Sequence, residues 1–330
     1  MRSTNALAGL LAALVAASAF AAPQAVAAAC QYTIQDLPLP PVLPMRAETT
    51  GSSTNNSRIV GVRTDSMNKL GLLWVNSTLR EMPQVPLVDV IPAAVNNVSV
   101  VAGSQESRPD GGSVVSRAFR YEAGVYTILQ TEPGEQSSAL GINDAGDVVG
   151  LVRTSSTEAV AVWPRTGTRK LFGAGYPRGI DAQRRVAVSA PGPGQSGWVL
   201  DTDTGTRTEL PGSRAPMVFD NGRVLAFEGG PLNDPDLPYG IGEWDLTGVK
   251  VAKHLGGLAP YGRNGSGTVF GRYTTSAPSL WRPSGRTDVV AEHLPQHGYY
   301  SDITDAATLI GTYENADRQM RPARWLWVCS

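Results

Sequence analysis

Histidine is the residue type in this sequence best suited to proton transfer or metal binding near neutral pH. Its three copies stand at positions 254, 293 and 297, and His293 and His297 form a His-x3-His pair. On a helix that spacing places both imidazoles on one face, where they can ligate a metal ion. Pro295 and Gly298 disfavour a helix, so we expect structural histidines and no cofactor. Metal binding at His293 and His297 is the alternative.

Aromatic side chains can stack on sugars or peptides, and neighbouring carboxylates can carry out acid–base chemistry. Side chains of both kinds occur here in segments rich in Pro and Gly, which are typical of surface loops. Packing between strands explains the tyrosines equally well, and solvated loop positions explain the aspartates. The predicted ligand-binding residues are Tyr261, Tyr299, Tyr300, Asp234, Asp236 and His254.

Sequence motifs of nucleophilic and phosphate chemistry are missing. The chain has no Gly-x-Ser-x-Gly motif and no Gly-x4-Gly-Lys phosphate loop. The alternating carboxylates of Asp201-Thr202-Asp203 resemble the start of a calcium loop, but Arg207 and Leu210 stand where its later ligands belong. A turn is therefore the favoured interpretation of this segment, and a binding protein is favoured over an enzyme.

The elements that must position these residues come from one repeat. Its best copy joins two apolar runs through an Asn-Asp-Ala-Gly turn at 143–146, and a third run ends in Trp163. A fourth run follows a Pro-Arg-Thr-Gly turn at 164–167. Turns of this composition join antiparallel strands. The aromatic position of the third run recurs about every 42 residues, as Trp74, Phe119, Trp163, Trp198, Trp244, Trp281 and Trp325.

Seven repeats of four short apolar runs, none with a helical period, are typical of the blades of a propeller. The sequence therefore predicts an all-β fold, a seven-bladed β-propeller of four-stranded antiparallel blades. Residues 28–330 form this single domain. Six blades with an irregular extra unit are the alternative count, and a β-sandwich is the alternative fold, although a sandwich requires no repeated signature.

The best copy resembles a family of bacterial extracellular repeats, the HAF type. Its units read roughly Ala-x-x-Ile-Asn-Asp-x-Gly-x-Val-Val-Gly, then Ala-Phe-x-Trp, then Asp-Leu. Residues 139–150 match the first part closely, Ala118-Phe119 supplies the second, and Asp36-Leu37 resembles the last. The resemblance extends over nearly all of residues 28–330. It implies a secreted, propeller-like protein and offers no catalytic residue.

The phase of the repeat predicts how the two ends meet. Residues 31–37 match a fourth strand, whereas the last run, at 323–327, matches a third strand. Docking one beside the other completes the last blade and closes the ring, which removes two exposed sheet edges. Cys30 and Cys329 flank these strands, and we expect a disulfide between them in an oxidising compartment. Two free thiols are the alternative.

Residues 1–27 have the parts of a secretory signal peptide, namely Arg2, an apolar run over residues 6–22 and a small-residue cleavage site ending at Ala27. The product is expected to be secreted or periplasmic, without a membrane span. Lipid anchoring at Cys30 is the alternative. The chain has 28 basic and 29 acidic residues, and this balance excludes nucleic acid as the principal partner.

These observations predict a non-enzymatic, monomeric binding propeller. The connections between second and third strands and between blades are long and irregular, and variable loops on one face of a rigid scaffold are the usual place of binding. We therefore expect this face to bind an extracellular glycan, peptide or protein. A hydrolase or lyase that uses carboxylates or histidine on the same face, with or without a metal ion, is the alternative.

Overall fold

The computed structural model describes residues 30–41, 46–53, 55, 57–65, 68–108, 112–192, 194–229, 239–273, 278–282, 284–288 and 299–329. Every regular element within these ranges is a β-strand, and the strands are numbered β1 to β28 in chain order. The prediction of an all-β fold is confirmed. The predicted signal peptide, residues 1–27, lies outside the described residues.

Five sheets have four strands each, paired in chain order, as short turns between successive runs require. They contain β6 (Val88–Val95), β7 (Val101–Ser107), β8 (Val115–Glu122) and β9 (Val125–Ile128); β10 (Gln136–Ile142), β11 (Val148–Arg153), β12 (Glu158–Trp163) and β13 (Lys170–Leu171); β14 (Tyr176–Ile180), β15 (Arg185–Ser189), β16 (Trp198–Asp201) and β17 (Arg207–Glu209); β18 (Arg214–Asp220), β19 (Arg223–Glu228), β20 (Gly240–Trp244) and β21 (Lys250–Leu255); and β22 (Gly257–Arg263), β23 (Val269–Tyr273), β24 (Pro278–Arg282) and β25 (Gly285–Asp288).

The remaining strands form one eight-stranded sheet. In order of pairing it contains β26 (Tyr299–Ile303), β27 (Leu309–Glu314), β28 (Met320–Cys329), β2 (Arg46–Ser52), β3 (Arg58–Thr64), β4 (Lys69–Val75) and β5 (Thr78–Glu81), with β1 (Cys30–Asp36) also paired to β28. A single parallel residue pair, Arg46 with Met320, joins β2 to β28. In contrast, β1 is antiparallel to β28 along its whole length, and Cys30 is the register partner of Cys329.

The third strands carry the repeated aromatic residue, as predicted, and all seven aromatic side chains are buried. Each packs with side chains of a neighbouring group of strands. Trp244 of β20 shares a cluster with Ala187 and Val199 of the preceding sheet, and Phe119 of β8 shares one with Val60 of β3. The hydrophobic core therefore lies between successive sheets, which pack face to face.

Successive groups also meet through their first strands. These contacts run from β2 to β6, β10, β14, β18, β22 and β26 in turn, and β26 contacts β2. The first strands of neighbouring groups thus lie side by side.

The Val-Val-Gly signature of the second strand has a steric cause. A β-carbon on Gly150 of β11 would lie 1.9 Å from the carbonyl oxygen of Ser138 on β10, where the register of that pair shifts. On β7, a β-carbon on Gly103 would lie 2.3 Å from the carbonyl oxygen of Ile91. A bulge in the first strand brings its backbone this close, so glycine is the residue that fits without displacing a carbonyl.

The Asn of the repeat closes the turn between first and second strands. Asn143 Oδ1 accepts the N–H of Asp147 at 2.9 Å, and Asn96 Oδ1 accepts the N–H of Val100 at 2.8 Å. Both side chains also reach the next sheet, since Asn143 Nδ2 donates to the carbonyl of Asp181 at 2.8 Å and Asn96 Nδ2 donates to that of Asn143 at 2.9 Å. Hydrogen bonds therefore connect the turns of neighbouring sheets.

Asn143→Ala is expected to lower the free energy of unfolding by about 2–3 kcal/mol, because it leaves buried backbone groups of two sheets without partners. Urea unfolding followed by circular dichroism measures the change. Asn315→Ala is the matched control, since Asn315 closes a turn in its own loop by accepting the N–H of Gln319 at 2.8 Å. Its expected cost is below about 1 kcal/mol, and equal costs for the two variants would contradict the role of the bond between sheets.

The strand β1 occupies the place of a fourth strand. Leu37, the residue after β1, donates its N–H to the carbonyl of Pro322 on β28 at 3.0 Å. Leu129, the residue after β9, makes the same bond to Ala118 on β8 at 2.9 Å. Both leucines are buried in the core of the next group, which explains the Asp-Leu ending of the repeat.

Hydrogen bonds from two indole groups also show that β1 corresponds to a fourth strand. The Nε1–H of Trp74 donates to the carbonyl of Pro38 at 2.7 Å, and that of Trp163 donates to the carbonyl of Gln130 at 2.8 Å. Each acceptor stands two residues after a fourth strand, β1 in one case and β9 in the other. The predicted docking of the N-terminal strand beside the third strand at the C-terminus is therefore present.

Candidate functional site

The first strands surround a cavity of about 370 Å³. All seven of them, β2, β6, β10, β14, β18, β22 and β26, contribute to its wall near the ends at which they turn into the second strands. The predicted binding face consists of the connections between second and third strands and between blades, and residues 230–238 and 289–298 of these connections are outside the described residues. The cavity is accordingly a different site from the predicted one.

Charged side chains of three sheets line this cavity. Arg178 comes from β14, Asp220 from the end of β18 and Asp302 from β26. Ser52 and Ser301 contribute hydroxyl groups, and the Ser52 hydroxyl donates to Asp302 Oδ2. A small concave site with a few convergent polar groups is suited to orienting a polar ligand.

Asp220 and Asp302 flank strand β22. Asp220 Oδ2 accepts the N–H of Arg263 at 2.9 Å, while Asp302 Oδ1 lies 2.5 Å from the place that a β-carbon on Gly262 would take. Burial raises the pKa of both carboxyls, to about 7 for Asp302, and the charge of Asp302 raises the pKa of Asp220 further. The pair therefore retains protons at pH values where exposed aspartates are ionised.

The raised pKa of Asp302 makes stability fall as pH rises. The folded chain binds this proton up to about pH 7, whereas the unfolded chain releases it near pH 4, so the free energy of unfolding decreases between these values and is level above them. Asp302→Asn removes the cost of the buried charge. We expect the variant to be more stable than the wild type at pH 8 by on the order of 2 kcal/mol, and equally stable at pH 4.

Urea unfolding at both pH values measures this difference. Asp317→Asn, in an exposed turn, is the control and leaves the pH profile unchanged. An Asp302→Asn variant that is destabilised equally at pH 4 and pH 8 would contradict the assignment.

Arg178 brings a positive charge to the same cavity. Its Nε donates to Ser189 Oγ at 3.1 Å, and no carboxylate of the described residues forms an ion pair with its guanidinium. The side chain as a whole is exposed, and partial desolvation of its guanidinium lowers its pKa. Arg185 of the same sheet is different, because its Nε contacts Asp181 Oδ2 at 2.8 Å. The terminal nitrogens of Arg178 are therefore available to a ligand.

Comparison with known proteins bears on the fold. No family model and no curated protein sequence matches the chain. A puromycin-hydrolyzing peptidase from Mycobacterium tuberculosis is similar in structure, with a TM-score of 0.60 and 13% identity over 89% of this chain and 54% of that one. The β-propeller domain of the Trilobed protease from Pyrococcus furiosus has a TM-score of 0.53 and 9% identity, over 75% and 84% of the two chains. The chain folds as a β-propeller.

At such identities the similarity establishes the fold alone. TolB from Acinetobacter baumannii also matches, with a TM-score of 0.43 and 10% identity over 62% of this chain and 54% of that one. The propeller thus spans about half of the length of TolB and of the peptidase.

The structure divides the three predicted tyrosines. Tyr261 lines the cavity of the propeller. Tyr300 packs with the rings of Phe270 and Trp325, each at a centroid distance of 5.1 Å, and therefore belongs to the core between sheets. Tyr299 is 65% exposed and is not part of the cavity wall.

His254 lies in an ion-pair cluster between β20, β21 and β22. Its Nε2 is 3.4 Å from Glu243 Oε2, and Glu243 Oε1 also contacts Arg263 Nε at 3.0 Å and Arg223 Nε at 3.4 Å. Burial alone would raise the pKa of Glu243, but the hydrogen bond from His254 and the charges around it hold that pKa below its usual value. The imidazole is thus occupied within the protein and is absent from the cavity wall.

The remaining predicted site residues, Asp234, Asp236, His293 and His297, lie outside the described residues. Within the described part of the chain, no group of three or more His, Cys, Asp or Glu side chains is placed to hold a metal ion. Asp201 Oδ1 accepts the N–H of Asp203 at 2.9 Å, as in a simple turn. The same part of the chain contains no helix long and apolar enough to cross a bilayer.

Sequence reasoning missed the charged residues of the cavity. Asp220 opens an Asp-Asn-Gly turn, a composition typical of a structural turn, while Arg178 and Asp302 stand in first strands that carry no repeated polar signature. The available signal was their position, because the polar residue of a first strand in a propeller lies near the central axis.

Proposed function

We propose that the protein is an exported, non-enzymatic propeller that binds a small polar ligand, such as the end of a glycan or a short peptide, in the cavity between its first strands. The observation that carries this proposal is the convergence of Arg178, Asp220 and Asp302, from three sheets, on one cavity of about 370 Å³. That volume is at the lower end of the ~300–1,000 Å³ range of ligand pockets. A ligand of monosaccharide or dipeptide size fits it.

The proposal includes a closed ring of seven blades. We take the eight-stranded sheet as two blades, because one residue pair, Arg46 with Met320, joins its halves. The last blade then consists of β26, β27, β28 and β1. Contacts between first strands that return from β26 to β2 support closure, as do the equivalent hydrogen bonds that follow β1 and β9.

Export and membership of the HAF repeat type are parts of the same proposal. Their support is in the sequence: the signal-like segment at residues 1–27 and the match of residues 139–150 to the repeat. Secretion or release to the periplasm provides the oxidising compartment in which Cys30 and Cys329 form a disulfide.

The test is binding to defined panels of mono- and oligosaccharides and of di- and tripeptides, measured by thermal shift and then by calorimetry. Ala182→Trp narrows the cavity, since Ala182 lies in its wall on an exposed turn. Ala145→Trp is the matched control, in the equivalent turn of the preceding sheet and outside the wall.

We expect at least one panel member to bind, Ala182→Trp to weaken it more than tenfold, and Ala145→Trp to leave it unchanged. Binding that survives Ala182→Trp would instead place the ligand on the loop face. Absence of binding by both panels would reject the proposal.

A hydrolase is the second candidate, and one observation favours it. Asp220 and Asp302 line one cavity and both have raised pKa values, as a general acid requires. Release of 4-nitrophenol from aryl glycosides, abolished by Asp302→Asn, would establish this alternative, and no release at pH 5–8 is the result expected of a binding protein.

A further inference from the structure

We infer that the cavity recognises the carboxylate group of its ligand, with Arg178 as the recognising residue. This inference rests on the proposed function and specifies the ligand's chemistry. Two kinds of ligand carry such a group: a uronic acid, through its carboxylate, and a peptide, through its C-terminal carboxylate.

The guanidinium of Arg178 is held in place by one hydrogen bond through Nε, and its two terminal nitrogens have no partner among the described residues. The bond from Nε to Ser189 Oγ, 3.1 Å, fixes the side chain from the second strand of its own sheet. The terminal nitrogens form no hydrogen bond or ion pair with the described residues. A planar fork of N–H donors in this state matches a carboxylate, which accepts two parallel hydrogen bonds from it.

The other charged groups of the wall do not compensate Arg178. Asp181 is bound to Arg185 at 2.8 Å, and Asp144 accepts the backbone N–H and the side-chain amide of Asn97 at 2.8 and 2.9 Å. Burial raises the pKa of Asp220 and that of Asp302, the latter to about 7, so both carboxyls ionise less readily than exposed aspartates. Among the described residues of the wall, Arg178 is the cation that has no ion-pair partner, and a carboxylate of the ligand can supply that partner.

A carboxylate suits this wall better than a phosphate. A dianion would face two acids whose ionisation already costs free energy through burial and mutual repulsion. A single negative charge on a planar group contacts the guanidinium without approaching them. The hydroxyl oxygen of Ser52, whose proton is donated to Asp302, and the side chain of Tyr261 line the same cavity and can contact the uncharged part of the ligand.

The experiment compares matched pairs of probes on the wild-type chain by calorimetry at pH 7. One arm uses glucuronate and glucose, and the other uses trialanine and trialanine amide. We expect the carboxylate member of at least one arm to bind at least tenfold more tightly than the partner that lacks the carboxylate. The arm in which this difference occurs identifies the source of the carboxylate.

Arg178→Gln is expected to abolish that difference by weakening the binding of the carboxylate probe at least tenfold. Arg207→Gln is the matched control, because it removes a guanidinium from the outermost strand of the same sheet, and it should preserve the difference. Equal binding of both members of each pair to the wild type, lost in Ala182→Trp, would overturn the inference and leave the proposed function standing. Failure of all four probes to bind would overturn both.

Discussion

Replacing Trp74 with alanine is expected to lower the free energy of unfolding by about 3–5 kcal/mol. The side chain is fully buried and packs in a cluster with Leu37, which follows β1, and Ile310 of β27. Truncation leaves a cavity at the junction between the first and last groups of strands. It also removes the donor to the carbonyl of Pro38. Urea unfolding followed by far-ultraviolet circular dichroism measures the loss.

Two further variants separate these causes. Trp74→Phe keeps most of the ring and removes the hydrogen bond, so its expected cost is smaller than that of Trp74→Ala. Val98→Ala changes a side chain that is 59% exposed in a turn and leaves stability within about 0.5 kcal/mol of the wild type. Wild-type stability in Trp74→Ala would show that this aromatic position is not part of the core.

The double variant Cys30→Ser with Cys329→Ser is expected to lose roughly 5 kcal/mol of stability, the chain-entropy value for a loop of this size. The register pairs the two cysteines across β1 and β28, a position in which the Cα atoms are close enough for a disulfide. Unfolding with and without reductant measures the loss in the wild type. Thiol titration of the unfolded, unreduced chain supplies the direct check.

The control is the response of the double variant itself, which reductant should leave unchanged. Two free thiols per chain, or a wild-type midpoint that reductant does not shift, would refute the disulfide.

The repeated parts of the fold could be predicted because each has a local cause that recurs in most copies. Asn143 closes a turn, Gly150 admits a carbonyl and Trp163 fills the space between sheets. These requirements do not depend on distant residues, so they leave a visible pattern in the sequence. The docking of β1 could be predicted for the same reason, since its residues match the fourth strand of the repeat.

The cavity could not be predicted, because bulges decide which side chains face it. In a regular strand Tyr300 and Asp302 would lie on the same face. The register of β26 shifts between them, and Tyr300 packs in the core while Asp302 lines the cavity. Arg178, Asp220 and Asp302 also stand at positions where the copies of the repeat differ, so aligning the copies with one another gives no signal for these residues.

The pairing of β1 with β28 also determines which strands separate first when mechanical force is applied to the chain. Within each of the other four-stranded groups, strands pair with neighbours along the chain, whereas this pair joins residues nearly 300 positions apart. Such a contact forms late, after the local hairpins are in place. We therefore expect tension on the chain at Cys30 to act first on the seven residue pairs between β1 and β28. The proposed disulfide between Cys30 and Cys329 would hold one end of this pairing closed.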